Sequence, residues 1–120
     1  MTEILSSKRY DLEGRTQKFA KDTILFLNQV PNTLANIEIC RQLVRSAGSV
    51  GANYIEANEA LSKKDFVLRI KICRKESKES KYWLTLLQIT SEEVVKKRQS
   101  IEQEATELMK IFGAIIEKSQ

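Results

Sequence analysis

The longest uninterrupted helical pattern in this chain runs from Ser62 to Thr90, and it carries nearly all of the net charge. With about 100° of rotation per residue, Phe66, Ile70, Cys73, Ser77, Ser80, Leu84 and Leu87 fall on one face at alternating steps of four and three. Such a seam packs against other helices. Lys63, Lys64, Lys71, Arg74, Lys75, Lys78 and Lys81 occupy a second sector, and Asp65, Ile72, Glu76, Glu79 and Trp83 the opposite flank. A helix with three sectors is expected to pack within its subunit on the first, meet solvent or a polyanion with the second, and meet another subunit with the third.

At 120 residues the chain reads as one domain, large enough to bury a core without metals or disulfides. It contains no histidine, which removes the usual general base, the usual triad member and the commonest transition-metal ligand together. Cys40 and Cys73 sit at core-facing positions of separate helical patterns, without CxxC spacing, and read as reduced, buried thiols. No apolar run approaches the roughly 18 residues of a membrane span. Met1 to Ser7 lack the basic start, apolar stretch and cleavage site of a secretory leader, so a soluble cytoplasmic protein is expected. The balance of 20 basic to 16 acidic residues is only mildly positive. Its distribution says more, because Ser62–Thr90 holds eight basic against three acidic residues while the other segments nearly cancel.

The rest of the chain is helical too. Asp11 is a suitable N-cap for a helix over 12–29, with Leu12, Thr16, Phe19, Thr23, Phe26, Leu27 and Val30 at helical spacing, ending before Pro31. A second helix over 34–61 places Ile37, Cys40, Val44, Ala47, Gly51, Tyr54, Asn58 and Leu61 together. Its middle is built from Ser46, Ala47, Gly48, Ser49, Gly51 and Ala52, either to admit a close neighbouring backbone or as a locally bent stretch. Ser62 with Asp65 resembles a capping box for the third helix, 63–89. Thr90 and Ser91 before Glu92 and Glu93 cap a fourth over 92–118, with Val94, Ile101, Ala105, Leu108, Phe112 and Ile115 in step and a break conceivable near Lys96–Gln99. The fold class is all-α: an antiparallel up-down-up-down four-helix bundle.

Glu76 and Glu79 could suggest paired carboxylates, but a di-metal carboxylate site of the ferritin type needs ExxH pairs and cannot be assembled without histidine. No catalytic residue, metal site or cofactor is therefore expected. Salt bridging is the expected role, Lys75 with Glu79 at i, i+4, together with a Glu76–Ser80 hydrogen bond. Lys64, Lys71, Arg74, Lys75, Lys78 and Lys81 could follow a phosphate backbone by charge alone, or form an ordinary solvated lysine face. Tyr82 lies beside them and could stack on a base. Trp83 and Ile72, outside the core seam, are expected at a subunit interface.

The run Arg45-Ser-Ala-Gly-Ser-Val-Gly-Ala-Asn53-Tyr-Ile-Glu56-Ala, followed by Lys64-Asp-Phe66 and by Lys75-Glu-Ser-Lys-Glu79-Ser-Lys-Tyr82-Trp83-Leu84, resembles the four-helix-bundle proteins encoded in intervening sequences of bacterial 23S ribosomal RNA genes. The likeness covers nearly the whole chain; Ala57 stands where many relatives have glycine. The resemblance implies a homopentamer with the bundles arranged as a barrel. It also extends to the accessory variability protein of diversity-generating retroelements, a basic pentameric bundle that binds nucleic acid and a reverse transcriptase. Arg45, Asn53, Glu56, Glu76 and Glu79 are the polar motif positions it carries over, with an implied role as hydrogen-bonding and ion-pair partners between helices or subunits. The expected function is a non-catalytic, oligomeric nucleic-acid-binding protein, RNA favoured, with little sequence specificity. The alternative is a scaffold that recruits a nucleic-acid enzyme such as a reverse transcriptase.

Overall fold

The computed structural model describes the backbone of residues 2–120 and the side chains of residues 12–120. Four helices, α1 (Thr2–Leu27), α2 (Leu34–Asn58), α3 (Lys63–Leu86) and α4 (Glu92–Lys118), make up the fold, with no strand among the described residues. α2 and α4 each pack against both α1 and α3, so the four helices close around a shared interior.

Local chemistry sets most of the helix ends. Thr33 caps α2 by accepting from the Asn36 N–H at 3.1 Å, Ser62 caps α3 by accepting from Asp65 N–H at 3.1 Å, and Ser91 caps α4 through Val94 N–H at 3.4 Å. Each hydroxyl satisfies a donor that the first helical turn leaves without a carbonyl. The first helix begins at Thr2, not near Asp11 as expected, because nothing between these residues breaks a helix and an internal aspartate lowers propensity by less than about 1 kcal/mol. It stops at Leu27, two residues before the expected end. The Asn28, Gln29 and Val30 N–H groups then bond three residues back, to Leu25, Phe26 and Leu27, a tightening that brings the chain out of the helix ahead of Pro31. α2 and α3 each end three residues early, at Asn58 and Leu86. α4 is continuous through Lys96–Gln99, all good helix formers. Arg98 there donates to the Leu87 carbonyl at 2.8 Å and Lys97 to Gln29 Oε1 at 2.8 Å.

The α3 seam packs inward as its periodicity requires: Ile70, Cys73, Ser77, Ser80, Leu84 and Leu87 are buried and Phe66 is half-buried. α2 is rotated from its expected face. Ala47 and Tyr54 are buried, but with Leu43, Val50 and Ala57, while Val44 is 42% exposed and Leu61 fully exposed. The cause is an apolar stripe on each side of α2, which makes its period ambiguous; the contact with α3 decides which stripe turns in.

That contact is close because both surfaces are small. Ser46 and Ser80 hydroxyls meet at 2.9 Å, and the Cys73 thiol donates to the Val50 carbonyl at 3.4 Å. On the other side, a β-carbon added at Gly51 would lie 3.1 Å from Thr16 Oγ1, so α1 is what the glycine admits; Gly48 has nothing within 4 Å and plays no such part. One apolar cluster centres on Phe19, Val50, Tyr54, Ile70, Leu108 and Phe112, a second on Phe26, Leu43, Leu84 and Leu87. Buried Thr16, Thr23, Ser77 and Ser80 bond back to carbonyls of their own helices, so these four hydroxyls enter the core satisfied.

Asn36 is a buried polar residue, 1% exposed. Its Nδ2 donates to the Pro31 carbonyl at 2.9 Å and the Gln88 carbonyl at 3.0 Å, and its Oδ1 accepts from Gln88 N–H at 2.9 Å. One side-chain amide thereby fastens the α1–α2 and α3–α4 connections together.

Candidate nucleic-acid interface

Because α3 is pinned by its seam, its other two sectors are fixed in direction. The flank toward α2 holds the polar motif residues. Arg45 Nη1 donates to Glu76 Oε2 at 3.3 Å and Arg45 Nη2 to Glu79 Oε2, while Gln42 Oε1 accepts from Arg45 Nε at 3.4 Å. The same Glu79 oxygen accepts from Trp83 Nε1 at 3.0 Å. Trp83 is half-buried against the cluster of Phe26, Leu43, Leu84 and Leu87, and its ring meets that of Tyr82 at 5.1 Å and 63°. About two turns further along α2, Asn53 accepts from Arg69 Nη1 at 3.1 Å and donates to the Ser49 carbonyl at 2.8 Å. Ile72 is half-buried on this flank; Glu56 is exposed and makes no ion pair among the described residues.

The expected Lys75–Glu79 pair does not form. Glu79 is taken by Arg45 and Trp83, a fixed pair of donors that outcompetes a solvated lysine on the same helix. Nor does Glu76 bond Ser80 through its carboxylate: the Ser80 hydroxyl goes to the Glu76 carbonyl at 2.8 Å, and Glu76 Oε1 is buried without a partner.

The remaining sector is the basic one. Lys64, Lys71, Arg74, Lys75 and Lys78 are exposed and Lys81 half-buried. Among the described residues none of the six forms an ion pair or a side-chain hydrogen bond. The Arg74 guanidinium reaches toward α4, 3.9 Å from where a β-carbon on Gly113 would stand. At the N-terminal end of α3 the row runs into an open hollow bordered by Lys63, Lys64, Leu68, Lys71 and Ser119. Tyr82 is 56% exposed and Leu68 53% on the outer side of the same helix.

Burial raises the Cys40 thiol above its usual range and pushes Cys73 up to about 12, so both stay protonated at neutral pH. Among the described residues no group of three or more Cys, Asp or Glu could hold a metal ion, and no helix is long and apolar enough to cross a membrane.

Two residues of this region escaped the sequence reading. Arg69 lies between the seam and the flank, and only the position of Asn53 on α2 reveals its use. Asn36 follows the Thr33 cap by three residues, where it reads as an ordinary polar residue of a first turn.

Fold and surface together define a class: an all-α protein of four packed helices whose third helix ties Glu76 and Glu79 to Arg45 and presents a row of cations without ion-pair partners among the described residues. The family profile described as 23S rRNA-intervening sequence protein matches residues 9–114, and the chain belongs to that family. A crystal structure of a protein of unknown function from the S23 ribosomal protein family of Bacteroides thetaiotaomicron VPI-5482 is similar to it, with 30% identity, a TM-score of 0.76, and coverage of 88% of this chain and 97% of that one. No curated protein matches the chain.

Proposed function

We propose that this chain is a non-catalytic, oligomeric protein that binds RNA or another nucleic acid through the basic sector of α3, with little sequence specificity. The observation that carries the reading is the segregation of charge on one helix. Glu76 and Glu79 are drawn to Arg45, so they are not available to neutralise Lys71, Arg74, Lys75, Lys78 and Lys81. A one-sided row of exposed cations raises the local concentration of a polyanion and gains free energy by releasing its counterions. RNA is favoured by the family's tie to a 23S rRNA intervening sequence. The row inserts no helix end into a groove and so has nothing with which to read bases in a duplex.

The pairing of Ser46 with Ser80, Val50 with Cys73 and Asn53 with Arg69 supports the antiparallel, up-down-up-down course of the helices. Self-assembly, with the pentamer favoured and the Ile72–Trp83 flank at its interface, would repeat the row around a ring in the cytoplasm. A second reading, a scaffold for a nucleic-acid enzyme such as a reverse transcriptase, is favoured by apolar side chains left outside: Ile24 is 48% exposed, Val44 42% and Ile55 50%. The test is retention of labelled RNA across a salt series by wild-type protein and by the Lys71→Glu, Arg74→Glu, Lys78→Glu variant. Salt-sensitive retention lost in the variant supports binding; no retention even at low salt, from protein of confirmed oligomeric mass, moves the function to the scaffold.

A further inference from the structure

Tyr82 is the one aromatic ring described on the outer side of α3, and its surroundings hold it there. The ring is 56% exposed, and among the described residues no hydrogen bond engages its hydroxyl. It rests on Trp83 at 5.1 Å and 63°. The indole is held by Glu79, which Arg45 holds in turn. A chain of three contacts thus runs from α2 to a tyrosine whose position is set before any ligand arrives.

The lysines are in register with it. Lys78, Lys75 and Lys71 precede Tyr82 by four, seven and eleven residues, the spacings that return a helix to the same side. They lie about 6, 10 and 16 Å down the axis at 1.5 Å per residue. An oriented aromatic face at the end of a line of free ammonium groups matches the two needs of an unpaired strand, a platform for a base and charges for the phosphates beside it. A duplex can use only the second, because its base faces are covered within the stack.

We infer that the basic sector selects single-stranded over double-stranded nucleic acid, with Tyr82 as a base-stacking platform and the Arg45–Glu79–Trp83 chain as the device that orients it. The inference rests on the polyanion-binding reading above and adds a ligand class to it. Fixing the ring beforehand removes part of the ordering entropy that binding would otherwise have to overcome. Arg45, Glu79 and Trp83 are positioning residues here, since none has to touch the ligand.

The experiment compares oligouridylate with duplex RNA of equal length, using full-length wild type, Tyr82→Ala, Tyr82→Phe and the Lys71→Glu, Arg74→Glu, Lys78→Glu variant. Emission of Trp83, the sole tryptophan, reports ligand arrival at the adjacent ring. Wild type should favour the single strand. Tyr82→Ala should weaken that binding roughly 5- to 150-fold, the range of one lost base–aromatic stack, with the salt slope unchanged and duplex binding unaltered; Tyr82→Phe should bind as wild type. Equal affinity of wild type for the two RNAs, or wild-type affinity in Tyr82→Ala, overturns the inference while loss of binding in the charge-reversed variant leaves the basic sector standing. Absence of binding to either RNA by wild type removes both the sector and the inference.

Discussion

On the α2 side of α3, Glu76 and Glu79 are gathered by a single arginine and one of them by an indole as well; in the basic sector, six cations stand without a partner among the described residues. Both sectors carry charge, of opposite sign, on the same helix. What separates them is proximity to a second helix whose small residues allow side chains to interlock. Charge placed there is desolvated and must be matched, so it contributes to architecture. Charge on the open side gains little from the fold, and its value lies with whatever approaches from outside.

The sharpest way to break this contrast is reversal on the open side. Lys71→Glu, Arg74→Glu, Lys78→Glu should abolish RNA retention at moderate salt. With three phosphate contacts removed, any residual binding should show a slope against log salt shallower by about 2. Its unfolding free energy should stay within about 1 kcal/mol of wild type by urea titration; a larger drop would mean that the lysines also serve the fold. Asn36→Ala should show the opposite pattern, a loss of about 2–4 kcal/mol from stranding backbone groups of Pro31 and Gln88, with RNA binding intact in the folded fraction. Arg45→Ala, which leaves Glu76 buried without its partner, should lose about 1–3 kcal/mol by the same titration. Smallest is the pair of glycines. Gly48→Ala should stabilise by about 0.5–1 kcal/mol, since helix propensity improves and no atom is met. Gly51→Ala should gain nothing or lose a little in a parallel melt, because Thr16 has to give way.

The α3 sectors were legible because all three follow from one period and one anchor, the apolar seam. The same reasoning failed on α2, where Ile37, Val44 and Ile55 form a second stripe and periodicity cannot tell which stripe the neighbour covers. It failed again for Lys75 and Glu79. Spacing within a helix names the partners that are near, while Arg45, the partner that wins, is brought from α2 by tertiary packing. Tyr82 was visible as an aromatic beside lysines; that its ring is braced through Trp83 and Glu79 depends on contacts that exist only in the folded chain. The helix ends divide the same way. Hydroxyl caps were read correctly at Ser62 and Ser91, whereas the start at Thr2 lies upstream of the aspartate that resembled a cap.

Asn36 has a consequence for how the chain tolerates change in length. Its amide matches one backbone donor and two backbone acceptors in fixed places, so the connections at Pro31 and Gln88 behave as a single joint whose halves must be altered together or left alone. The turn between α2 and α3, where Leu61 is wholly in solvent, has no such bond to lose. A peptide tag or fluorophore spliced in at Leu61 should leave the rest of the molecule undisturbed, and the same splice beside Gln88 would pull the joint apart.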